Sequence, residues 1–237
     1  MIALETELEC PQINKNELEL SEEQEEFDWG DEEEEKKKPF QDVSATGILN
    51  KIGDILLLHF AVLICSLPIV TIGASVSAGT YVGMKLASGT EGGVLGNFIK
   101  GFKENFKRST IYFLAAVAGF FAIYNSYSYW ISVEGSVGNG MACISVGLAV
   151  AWVMFVLYVF AVQAKFENTL MATAKNAILM AVRHFHITAL MAFIVAVAVW
   201  LFAEFMAVQA LMAVSGFGIM FYVMGKLYNL VFKCYIN

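Results

Sequence analysis

Residues 48–87, ILNKIGDILLLHFAVLICSLPIVTIGASVSAGTYVGMKLA, hold two apolar runs joined at Ser66-Leu67-Pro68. Each run is near the ~20 residues a helix needs to cross a hydrocarbon layer about 30 Å thick. Proline lacks a backbone donor and is harmless in the first turn of a helix, so Pro68 suits the start of the second run. The stretch reads as a membrane hairpin with spans over 48–67 and 69–87.

The remainder repeats that pattern. The chain is 58% hydrophobic with a mean hydropathy of +0.62, too apolar for the coat of a conventional soluble protein. Long blocks with few charges predict further spans over 110–130, 141–163, 186–202 and 205–230. The expected fold is all-α, a polytopic membrane helical bundle of six spans over residues 40–237. Two amphipathic helices are predicted at the inner face. The first carries Leu95, Phe98, Ile99, Phe102 and Phe106 on one stripe, with Lys100, Lys103 and Lys107 opposite. The second covers 165–182, with Phe166, Leu170, Ala174, Ala177 and Ala181 on one side and Glu167, Asn168 and Lys175 more polar. Phe98, Phe102, Lys103, Phe106 and Phe166 are the candidate docking residues of these two elements.

Charge divides the sequence. Residues 1–39 contain fifteen Asp or Glu and four Lys, whereas residues 40–237 contain seven acidic and eleven basic residues. The first part cannot bury enough apolar surface to offset the entropy of ordering, so a mobile acidic cytosolic tail is expected, either solubilising or a docking arm. It lacks the basic start and apolar core of a cleavable signal peptide. All eleven later basic residues fall on one side of the six-span map, while Glu134 and Glu204 fall on the other. Inside-positive insertion then puts both termini in the cytosol. The acidic balance gives no basis for nucleic-acid binding.

Few residues suggest chemistry. Lys51 and Asp54 lie near the cytosolic end of the first span, and His59 lies deeper. An intramembrane histidine needs a polar partner or water, which makes His59 a candidate site. It is either a neutral side chain bonded to a neighbouring helix or part of an ion or proton route. Asp54 and His59 are five positions apart and align poorly on one helix face, so they make a weak dyad. In the second span, Ser75, Gly79 and Gly83 recur every fourth residue just after Gly73, a spacing that lets backbones approach closely or leaves room for a ligand. Cys143, Gly147 and Ala151 form a comparable face that should meet another helix. Tyr124, Tyr127, Tyr129 and Trp130 suit an interfacial belt, with a carbohydrate platform as the alternative. Cys10, Cys65, Cys143 and Cys234 have no zinc-site spacing, and the three histidines form no metal signature; no cofactor is expected.

The run LICSLPIVTIGASVSAGTYVGMKLASG at 63–89, then FIKGFKENFKRST at 98–110 and AKFENTLMATAKNAILMAVRHF at 164–185, resembles the YesL family of bacterial membrane proteins over about residues 45–232. The SLPIVTIGAS motif at 66–75 and FKENFK at 102–107 carry the resemblance. It implies a multi-pass protein of a bacterial plasma membrane, of uncharacterised function and suspected of accompanying carbohydrate uptake. No catalytic residues transfer with it, and the acidic tail departs from the usual short start. Two function classes follow, and an intramembrane enzyme is a third for which the sequence offers no matched nucleophile and base, metal-binding group or phosphate-binding glycine loop. The first is a non-enzymatic accessory, scaffold or regulatory protein contacting lipids, a transporter or sensor, or its own copies. The second is a small secondary transporter or channel for a sugar or ion, with Asp54, His59 and the glycine-rich second span as its candidates.

Overall fold

The computed structural model describes residues 45–89, 92–166 and 168–236. The acidic tail and Glu167 lie outside the described residues. Every described element is helical. Helix α1 spans Ala45–Cys65, a short 3-10 turn Ile69–Thr71 follows, and α2 spans Ile72–Ser88. Helix α3 covers Val94–Ile131, α4 Ser136–Lys165, α5 Leu170–Arg183 and α6 Phe185–Glu204. Helices α7, Met206–Leu211, and α8, Phe217–Ile236, are joined through a π-helical turn at Met212–Gly216.

Local chemistry explains the breaks. Pro68 sits in extended backbone (φ −75°, ψ 124°) and stops α1, since it cannot donate into the helical ladder. Gly89 closes α2 with φ +74°, and its N–H bonds back to the carbonyls of Leu86 and Lys85. The hydroxyl of Thr169 caps α5 by accepting from the N–H of Ala172 at 3.3 Å.

Among the described residues, four helical rods are long and apolar enough to cross a membrane, namely α3, α4, α6 and the continuous run Met206–Tyr235. The protein is a multi-pass membrane protein, and its exposed surface is correspondingly apolar: Phe121, Ile144, Phe193, Trp200 and Met206 all lie open. Two sequence expectations change here. The first amphipathic segment is no separate surface helix, because it runs without a break into the following span as the 38-residue α3, a rod of about 57 Å at 1.5 Å per residue. No glycine or proline intervenes at the junction, Lys107-Arg108-Ser109-Thr110, so nothing interrupts the ladder. The face of Cys143, Gly147 and Ala151 is exposed, with nothing among the described residues within 4 Å of a Cβ placed on Gly147.

The core is built around α2. Twelve of its 17 residues, from Gly73 to Lys85, are buried, whereas α6 buries only Thr188 and Met191. Helix α2 is therefore enclosed by protein and α6 lies at the periphery. Close backbone approach makes this enclosure feasible. A Cβ on Gly73 would strike the Ser109 carbonyl and Phe113 of α3, one on Gly79 the Phe221 ring at 2.8 Å, and one on Gly83 the Phe221 carbonyl. Gly225 faces Gly83 backbone to backbone. The predicted small-residue spacing thus joins α2 to α8.

Candidate functional site

His59 is fully buried and reaches the π turn between α7 and α8. Its Nε2 lies 2.8 Å from the carbonyl oxygen of Ala213, and its Nδ1 accepts from the N–H of Phe217 at 3.3 Å. Residues 213 and 217 are the i and i+4 partners that an uninterrupted α-helix would join directly. The imidazole instead stands between them, one side chain satisfying both groups that the π turn releases. Since Phe217 donates to Nδ1, the proton is assigned to Nε2, which donates to Ala213. The ring also stacks on Phe217, with centroids 5.8 Å apart and 21° between planes. Gly218, one residue on, lets α8 press against the carbonyl of Ile55 on α1, where a side chain would collide.

Asp54 is half-buried one and a half turns before His59. Both ring nitrogens of His59 are engaged by backbone, so the two side chains form no acid-base dyad. Lys51 Nζ lies 5.7 Å from the Tyr222 ring centroid and Lys226 Nζ lies 4.8 Å from it, so two cations share one aromatic ring. Of the remaining predicted positions, Pro68 forms the hairpin turn, and Gly73, Gly79 and Gly83 are packing contacts. Ser75 is buried with no hydrogen-bond partner for its hydroxyl among the described residues.

The docking candidates divide. Phe98 and Phe166 point inward, Phe98 stacked near Phe102 at 6.2 Å and Phe166 edge-on to Phe232 at 5.4 Å. They belong to the core. Phe102 and Phe106 are half-buried and Lys103 is exposed, lining a cleft of about 590 Å³ with Asn105, Arg108, Gln163 and an edge of Phe166.

Sequence reading missed the clamp beside that cleft. The amide Nε2 of Gln163 donates to Ser109 Oγ at 3.0 Å and lies 3.3 Å from both Asn105 oxygens, tying α4 to α3. Arg108 donates to the Asn168 carbonyl at 3.1 Å and Tyr112 to the Leu170 carbonyl at 2.8 Å, so α3 also holds the start of α5. The available signal was polar spacing: Asn105 and Ser109 are one turn apart, and Gln163 is a lone amide ending an apolar run. His184, at the junction of α5 and α6, lies 3.2 Å from the Tyr235 hydroxyl. Its burial, and secondarily the Arg183 charge, hold its pKa below the ordinary histidine value.

A second, apolar groove of about 350 Å³ lies among Val76, Phe113, Phe120, Leu157, Met224 and Tyr228. Its polar side chains are already engaged, Thr80 with the Val76 carbonyl at 2.8 Å and Tyr228 with the Leu157 carbonyl at 2.6 Å. No group of three or more His, Cys, Asp and Glu is placed to hold a metal among the described residues.

Residues 54–127 match the family described as Protein of unknown function, DUF624. The match runs from Asp54 in α1 through α2 to Tyr127 in α3, under a third of the chain, and is consistent with an uncharacterised family of membrane proteins. No curated protein and no solved structure matches.

Proposed function

We propose that this protein is a non-enzymatic membrane accessory or scaffold that works through helix packing, with its basic connections and both termini in the cytosol. The observation that carries this reading is the closed centre. The positions a transport route would need are occupied by contacts: His59 bridges two backbone groups, and Gly79 and Gly83 are covered by Phe221 and Gly225. The apolar groove offers no unengaged side chain to recognise a sugar. Inside-positive orientation is favoured because no Lys or Arg occurs between Ser109 and Ala164, or between His184 and Gly225. The resemblance to YesL proteins directs the search for a partner to the transporters and sensors of carbohydrate uptake. Reconstitution in sealed vesicles tests the reading. No flux of sugars or monovalent ions above that of protein-free vesicles is expected, and saturable flux would overturn it.

A second reading, a small transporter or channel, draws on the π turn itself, because such turns recur at functional sites. Return of Met212–Gly216 to α-helix would release His59. Flux abolished by His59→Ala would favour this reading.

A further inference from the structure

We propose that the cleft between α3 and the end of α4 binds the headgroup of an anionic glycerophospholipid whose phosphate carries a free hydroxyl group, as in phosphatidylglycerol. The phosphate lies against Lys103, Lys107 and Arg108, and the hydroxyl donates to Gln163 Oε1. Binding there is independent of the accessory role proposed above.

Charge selects the phosphate. Three cations, Lys103, Lys107 and Arg108, line the cleft against one carboxylate among the described residues, Glu104. Both lysines are exposed, on flexible stems that can follow an anion. Arg108 is held by the connection after α4, where its Nη1 donates to the Asn168 carbonyl at 3.1 Å. The rest of its planar fork is left for a phosphate, whose oxygens it matches in pairs.

Gln163 adds a demand that phosphate cannot meet. It lines the cleft, is 5% exposed, and turns its Nε2 to Ser109 Oγ at 3.0 Å and to the two Asn105 oxygens at 3.3 Å. Its Oε1 is buried and meets no donor among the described residues. Exchanging the two ends of the amide would set Oε1 against the Asn105 carbonyl, so the neighbours fix the assignment. A buried acceptor without a donor is costly, and the phosphodiester of a lipid has no proton to give it. A hydroxyl beside that phosphate does.

The ligand is a lipid rather than a soluble ester because the cationic face of α3 runs directly into an apolar one. Lys103, Lys107, Ile111 and Leu114 follow one another at helical spacing, and Ile111 and Leu114 are 51% and 58% exposed. Tyr112 donates to the Leu170 carbonyl at 2.8 Å, which brings the start of α5, with its exposed Leu170 and Met171, alongside α3. Phe102, Phe106 and the edge of Phe166 give the cleft its apolar wall. Its level is set by α4, a helix long and apolar enough to cross the membrane, since Gln163 stands beside the end of that helix at Lys165. A phosphate at this level leaves its acyl chains to run along Ile111 and Leu114.

Native mass spectrometry of the full chain, released from a neutral detergent and titrated with dihexanoyl lipids, tests this. Phosphatidylglycerol should bind roughly two- to tenfold tighter than phosphatidylethanol, which has the same charge and no hydroxyl, the range that one hydrogen bond supplies. Both should bind tighter than phosphatidylcholine. Lys103→Gln combined with Lys107→Gln, at two exposed positions, should weaken both anionic lipids about tenfold or more and leave phosphatidylcholine unchanged. Equal binding of phosphatidylglycerol and phosphatidylethanol to the native chain would overturn the proposal, as would anionic lipid binding unaltered in the double variant. Displacement of phosphatidylglycerol by an equal concentration of glycerol phosphate would make the site one for soluble esters and overturn the lipid assignment, which an absence of displacement supports.

Discussion

Nε2 of His59 and the carbonyl oxygen of Ala213 are 2.8 Å apart, joining the first described helix to the π turn near the end of the chain. Replacing the imidazole with an apolar side chain strands that carbonyl and the N–H of Phe217, and each buried unmet group costs about 1–3 kcal/mol. His59→Leu should lower unfolding free energy in mild detergent by ~2 kcal/mol or more. His59→Gln keeps a donor and an acceptor and should lose distinctly less. Equal losses would mean that ring packing, not the bridge, sets the effect.

Two glycines should respond oppositely to the same added methyl group. At Gly83 the new Cβ meets the Phe221 carbonyl, and overpacking of this kind costs about 1–3 kcal/mol. At Gly147 nothing lies within 4 Å, so Gly147→Ala should gain up to ~1 kcal/mol of helix propensity. Thermal unfolding of both variants checks the pair. A tolerated Gly83→Ala would refute the close α2–α8 contact.

Ser75 and Ser109 are both buried but differ in company. Ser109 accepts from Gln163, so Ser109→Ala should cost ~1 kcal/mol. The hydroxyl of Ser75 has no partner among the described residues, and Ser75→Ala should leave stability unchanged or raised. A loss at Ser75 would reveal a bound water or another partner for that hydroxyl.

The His184 side chain gives the structure a dependence on acidity. Burial favours its neutral form when folded, so the unfolded chain takes up the proton first. Its contribution to stability is complete above the ordinary value of 6.5 and declines as pH falls through 6.5 toward the lower folded-state pKa. Melting temperatures between pH 8 and pH 5 should therefore fall more steeply for the native chain than for His184→Gln, at roughly the histidine range. Parallel curves would remove His184 from the effect.

Helicity, the membrane class and the glycine contacts of α2 were legible because each rests on local pattern: long apolar runs, and small residues at fourfold spacing. The partner of that spacing was not legible. Phe221 and Gly225 lie far along the chain, and nothing local marks which helix will fill a groove. The continuity of α3 escaped for a similar reason, since a change of composition at Arg108 looks like a boundary while the backbone has no cause to stop there. His59 was recognisable as a buried polar group in need of partners. That both partners would be backbone groups depended on a π turn, which Gly216 and Gly218 foreshadow only as a weak point. The Gln163 clamp shows the remaining limit, for a lone amide announces a need without saying where it will be met.

The burial of α2 has a consequence for biogenesis. Its closing neighbour, α8, leaves the ribosome long after α2, so the groove around Gly79 and Gly83 stays open until Phe221 and Gly225 have been made. Until then a helix carrying Ser75, Ser77 and Lys85 must be sheltered by the insertion machinery or a chaperone. A chain stopped short of Phe221 should consequently be a substrate for membrane proteases, however well its earlier segments have been inserted.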